Sequence, residues 1–145
     1  MTQPVVIAMV EDDEGHARLI EKNLRRAGVH NEIVPLADGA SAIKFLFGSD
    51  GSGLVNKGRP LLILLDLNLP DMSGIDILKR LKENEHLRVS PVVVLTTTDD
   101  KSEIQRCYDT GCNVYITKPV DYEKFANAIQ KFGLFMYVMQ FPGSI

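Results

Sequence analysis

Leu61-Leu62-Ile63-Leu64-Leu65-Asp66-Leu67-Asn68-Leu69-Pro70 is the stretch that decides the fold. Its five leading apolar residues make a run of β-strand length without alternation, which reads as a strand buried on both faces of a parallel sheet. The carboxylate of Asp66 stands where the run stops, at the carboxyl edge of that sheet. Open α/β sheets place their chemistry at this edge. A second run, Val5-Val6-Ile7-Ala8-Met9-Val10, ends in the same way on Glu11-Asp12-Asp13. Two strand ends would thus gather three or four carboxyl groups. Like charges held that close require a cation or a raised pKa, and a hard divalent ion with oxygen ligands is the commoner solution.

Outward from these two strands, helical and strand patterns alternate. Ala17, Ile20, Leu24 and Ala27 recur at helical spacing, and Gly28 is placed to end that helix. Residues 31–36 read as a short second strand. Asp38 caps a helix whose apolar face carries Ala42, Ile43, Leu46 and Phe47. The glycine-rich stretch 48–60 reads as a surface loop; it lacks the Gly-Lys-Ser/Thr ending of a phosphate-cradling loop. Beyond Asp66, a turn at Pro70-Asp71-Met72-Ser73-Gly74 leads into a helix bearing Ile75, Ile77, Leu78 and Leu81. A fourth strand runs from Val92 to Leu95 into Thr96-Thr97-Thr98. A fourth helix from about Ser102 stops at Gly111, and a fifth strand, 113–117, ends at Lys118-Pro119. Asp121 is placed to cap a last helix. Right-handed crossovers put helices on both faces of such a sheet, so the expected fold is α/β: a flavodoxin-like, doubly wound, five-stranded parallel sheet of order 2-1-3-4-5.

Composition narrows the function classes. At 145 residues there is room for one ordinary domain. A net charge of -3 carries no basic excess, which argues against nucleic-acid binding. The chain starts directly into a strand without a charged leader, and no apolar stretch approaches membrane-spanning length, so a cytoplasmic protein is expected. Cys107 and Cys112 match no metal motif and read as reduced, structurally neutral thiols. His16, His30 and His86 fall in helical or loop positions and read as surface residues; His16, one turn into the first helix, is the nearest to the acidic ends.

The strand ends supply the parts for handling a phosphoryl group. A carboxylate attacks phosphorus to form an acyl phosphate when a metal offsets the repulsion of the incoming oxygens. Asp66 is the candidate nucleophile, with Glu11 and Asp12 to hold the metal. Positioning and positive charge complete such a transfer, and Lys118 and Thr96 provide an ammonium and a hydroxyl.

This set resembles the receiver domain of bacterial two-component response regulators, over residues 5 to about 131. The resemblance implies Asp66 as phosphoacceptor, Asp12 as direct ligand of Mg2+, Glu11 acting through water, and the Asn68 backbone carbonyl as a further ligand. Thr96, thirty residues after Asp66, takes the hydroxyl position. Lys118 takes the lysine position and is followed by the family's proline, whose bond to the lysine is usually cis. Tyr115 matches the aromatic switch, and Asn68 and Thr98 the variable positions that tune phosphoryl lifetime. Five separate positions agree in residue type and strand-end setting. The resemblance further implies phosphotransfer from a sensor histidine kinase and output through a reshaped surface, without turnover of an external substrate.

Three features refine that expectation. Phe125, Ile129, Phe132, Met136 and Met139 recur at spacings of four and three, and Phe135 adds to an apolar extension over 132–145 that follows the receiver domain at 1–131. A homodimer contact through this extended helix and tail is expected. The long loop after the second helix, the Val-Leu-Thr-Thr ending of strand four and the apolar extension are similar to single-domain response regulators of phytochrome-type kinases, making a bacteriophytochrome an expected partner. A phosphohydrolase of the haloacid dehalogenase type needs an acid two residues after its nucleophile, where Asn68 stands. A degenerate receiver acting as a constitutive binding module, and a phosphorelay intermediate, are the alternatives.

Overall fold

The computed structural model describes residues 5–48, 60–97, 100–118, 122–128 and 130–131. Five parallel strands form one sheet of order β2-β1-β3-β4-β5: β1 (Val6–Val10), β2 (Ile33–Leu36), β3 (Leu61–Asp66), β4 (Val92–Thr96) and β5 (Val114–Thr117). Between them lie α1 (Glu14–Arg26), α2 (Gly39–Phe47), α3 (Gly74–Glu83) and α4 (Lys101–Thr110), and residues 122–128 form a further helix, α5. A turn of 3-10 helix at Leu87–Val89, absent from the sequence reading, links α3 to β4. The strand order is the expected one.

Every residue of β1, β3 and β4 is buried, because each face of the sheet is covered by helices. Strand residues alternate between two cores. Val6, Ala8, Ile63, Leu65 and Val94 pack toward α2, α3 and α4. On the other face, Ile7, Leu64, Val93 and Leu95 meet Ile20 and Leu24 of α1 and Phe125 of α5. The Arg26 guanidinium lies 3.8 Å from the ring centre of Tyr122, tying α1 to α5 at their exposed edge.

Phe125 corrects one expectation. It is 0% exposed and fills the core beneath α5, so it is not available as a contact between copies of the chain. The stripe repeats every three or four residues, but its first member faces the sheet of its own domain. Ile129, Phe132, Phe135, Met136 and Met139 lie outside the described residues, as do most of the glycine-rich loop, Thr98, the Lys118-Pro119 bond and the Asp121 cap.

Helix starts follow side-chain chemistry. The carboxylates of Asp13, Asp38 and Asp100 accept backbone N–H groups at the first turns of α1, α2 and α4, and the Ser73 hydroxyl does so for α3. Asp100, rather than a residue nearer Ser102, therefore sets the start of α4. Asp13 is also separated in role from its neighbours: of the three consecutive acids, Glu11 and Asp12 face the sheet edge while Asp13 caps α1.

Candidate functional site

Strand register brings the site together. Val10 pairs with Leu65, so Glu11 and Asp66 come level at the ends of β1 and β3; Asp66 pairs with Leu95, one residue before Thr96. The Thr96 carbonyl accepts the Lys118 N–H at 2.7 Å, extending the β4–β5 ladder and carrying the lysine to the same edge. Gly74 fixes the far side. A Cβ there would lie 2.5 Å from the Asp66 carbonyl oxygen, so only glycine lets α3 start this close to the strand end. Its N–H donates to Leu67 at 2.9 Å.

Lys118 is the hub. Its ammonium donates to Glu11 Oε1 and, at 3.2 Å, to Asp66 Oδ2. All three side chains are nearly inaccessible to solvent, 5% for Lys118, 1% for Glu11 and 5% for Asp66. Buried charges must be paired, and here one ammonium serves two carboxylates. Burial pushes the Glu11 carboxyl up to about 7; the Lys118 bond opposes that shift, and neighbouring Asp66 adds to it. Asp66 Oδ1 accepts the Asn68 N–H at 3.0 Å, so both oxygens of this carboxylate are oriented.

Glu11, Asp12 and Asp66 each place a carboxylate oxygen within 4.8 Å of the others. Three carboxylates against one ammonium leave the cluster negative, and the donors are all oxygen, which suits a hard divalent cation. Asp12 is the exposed member and opens onto a cleft of about 570 Å3 lined also by Asn68, Ser73 and Glu103.

Thr96 is 0% exposed. Its Oγ1 accepts a hydrogen bond from Asn68 Nδ2 at 3.2 Å, a role for the Asn68 side chain that sequence reading missed. Tyr115 is half-buried on β5, paired with Val94 and packed against the α3–α4 core; its N–H donates to the Tyr108 hydroxyl at 3.2 Å. His16 is the second omission. Its Nδ1 lies 3.4 Å from Lys118 Nζ while 44% of its side chain stays exposed, so this surface histidine also borders the site. The signal was its place in the first turn of α1, which follows directly on the acidic end of β1.

The chain belongs to the response regulator receiver domain family, whose model matches residues 7–130. It is 70% identical to a response regulator receiver domain from Rhodospirillum rubrum of known structure, which superposes with a TM-score of 0.81 over 94% of this chain and 96% of that one. The bacteriophytochrome response regulator RtBRR is 35% identical, with a TM-score of 0.78 over 90% of this chain and 79% of its own. Response regulator Rcp1 of Synechocystis sp. is 37% identical over 134 residues, 90% of each chain. A solved Mn2+-bound form of response regulator Rcp1 superposes at 0.72, covering 98% of this chain and 99% of that one. Family membership makes the chain a phosphoacceptor of two-component signalling. Among the described residues, no helix is long and apolar enough to cross a membrane.

Proposed function

We propose that Asp66 receives a phosphoryl group from a phosphohistidine of a sensor histidine kinase, with Mg2+ held by Glu11, Asp12, Asp66 and the Asn68 carbonyl. The observation that carries this reading is the Lys118 bridge between Glu11 and Asp66 beside a third carboxylate. An Asp66 oxygen forms the new O–P bond while the P–N bond to the kinase imidazole breaks, its electron pair leaving on nitrogen. Lys118 turns an N–H toward the phosphoryl oxygens, and Thr96 offers its hydroxyl to another. When bound, the divalent ion supplies positive charge against the developing phosphoryl charge.

Movement of Thr96 toward the phosphoryl oxygen carries the signal to Tyr115 and the surface of α4, β5 and α5. A differential interaction of a few kcal/mol between two pre-existing arrangements is enough. The likeness to RtBRR and Rcp1 supports a bacteriophytochrome-type kinase as phosphodonor. A cytoplasmic location for this chain is part of the same reading. With Asn68 where a hydrolase would carry its acid, turnover of external phosphomonoesters is not expected. With Phe125 assigned to the core, homodimer contact rests on Ile129 and residues 132–145, which lie outside the described residues.

Intact-protein mass after incubation with acetyl phosphate, with and without Mg2+, tests the reading. One labile, Mg2+-dependent adduct absent from Asp66→Asn is expected. A folded protein that gains no adduct would leave the constitutive binding module in its place.

A further inference from the structure

We infer that His16 is a positioning residue for the phosphoryl-transfer site, acting as the third hydrogen-bond acceptor of the Lys118 ammonium. The inference rests on the phosphoacceptor reading above for its kinetic consequence, but its structural content stands apart from it.

An ammonium has three N–H donors and no acceptor. Two donors of Lys118 go to Glu11 Oε1 and Asp66 Oδ2, and among the described residues His16 Nδ1 lies at 3.4 Å. Because lysine cannot accept, this contact is a hydrogen bond only when Nδ1 carries no proton, so the inference requires the tautomer with its proton on Nε2. Asp13 is the competing partner. Its Oδ1 would favour a proton on Nδ1, but it lies 4.0 Å away and is already engaged by the His16 backbone N–H at 2.9 Å. The shorter contact is to the lysine. Capping by Asp13 thus fixes the first turn of α1 and with it the placement of the ring.

The consequence is directional. With only two carboxylate acceptors, the ammonium can settle against either of them, and one of these is the nucleophile. A third acceptor on α1 holds it in a single orientation between the three and keeps a defined N–H facing Asp66 Oδ2, the edge where a phosphoryl oxygen arrives. Orientation of this kind is worth most when it is fixed before reaction.

The test uses the full-length protein. Long-range 1H–15N spectra at neutral pH report the His16 tautomer; an unprotonated Nδ1 is expected, with its resonance displaced in a folded Lys118→Met variant. A protonated Nδ1, or one indifferent to Lys118, overturns the inference. In parallel, the rate of adduct formation from acetyl phosphate and Mg2+ is compared for His16→Leu, His16→Asn and His16→Gln. Asparagine places an acceptor where Nδ1 sits, whereas glutamine reaches the Nε2 position. We expect about a fivefold loss for leucine and glutamine, the scale of one half-exposed hydrogen bond to a charged group, and recovery to within about twofold for asparagine. Equal rates for leucine and asparagine also overturn it. If wild-type protein forms no adduct, the phosphoacceptor reading fails, while the tautomer still decides the role of His16.

Discussion

Asn68 Nδ2 donates to Thr96 Oγ1 at 3.2 Å, joining the ends of β3 and β4 through side chains twenty-eight residues apart. A hydroxyl has two lone pairs and one proton, so accepting from Asn68 does not consume the donor that a phosphoryl oxygen would need. On the proposed switch, the bond holds Thr96 in its unphosphorylated position. Asn68→Ala should release it and raise the population of the switched state before any phosphorylation. One net hydrogen bond of about 1 kcal/mol corresponds to a factor of about five. Backbone resonances of residues 114–118 in the variant should move part of the way toward their positions in the beryllofluoride-bound protein; unmoved resonances would show that the tether does not bias the switch.

Asp71 couples the turn after β3 to the next layer of the fold. Its Oδ1 and Oδ2 accept the N–H groups of Gly39 and Ala40 at 2.7 and 2.9 Å, so the first turn of α2 is capped from a distant loop as well as by Asp38. Those bonds hold the Asp71 carboxyl below its usual range, the Gly39 bond most of all. A depressed folded-state pKa contributes stability that is complete above the unfolded-state value and is lost as pH falls through the folded-state value. Asp71→Asn should therefore lower the melting temperature at neutral pH, with the difference from wild type shrinking as the pH drops below the ordinary carboxylate range. A difference independent of pH would assign the effect to packing.

Gly74 should tolerate nothing larger. The Cβ of Gly74→Ala would meet backbone, the Asp66 carbonyl oxygen at 2.5 Å and Leu67 Cα at 2.7 Å, neither of which can rotate away. Overpacking of this kind costs about 1–3 kcal/mol, and here it displaces Asp66, the proposed phosphoacceptor. Urea unfolding and acetyl phosphate labelling should both be impaired, the second more than stability alone explains.

The thiols should be inert. Cys107 and Cys112 are buried and free; burial raises both, Cys112 to about 12. Neither forms appreciable thiolate near neutral pH, and the thiolate is the reactive species. Ellman's reagent should find no thiol in native protein and two in denaturant. Rapid native reaction would reopen a redox role.

Asp66, Glu11, Thr96 and Lys118 were legible because each follows an apolar run, and parallel strands of similar length end at one edge. Asp13 shows the limit of that logic: it shares the acidic cluster, yet helix capping decides its role, and only backbone geometry separates the two. Asp71 and the Asn68 amide act through contacts between elements, where chain separation carries no signal. Phe125 failed for a related reason. A helical stripe declares an apolar face without declaring what covers it, and the bare β1–β3–β4 surface of the same domain claimed it first.

The central claim is that phosphate resides on Asp66. Borohydride reduces an aspartyl phosphate to homoserine, so protein labelled with acetyl phosphate and Mg2+, then reduced and digested, reports the position by peptide mass spectrometry. We predict homoserine at residue 66 alone, absent without the metal. Homoserine at position 12 or 13, or a stable adduct on another side chain, would contradict the account.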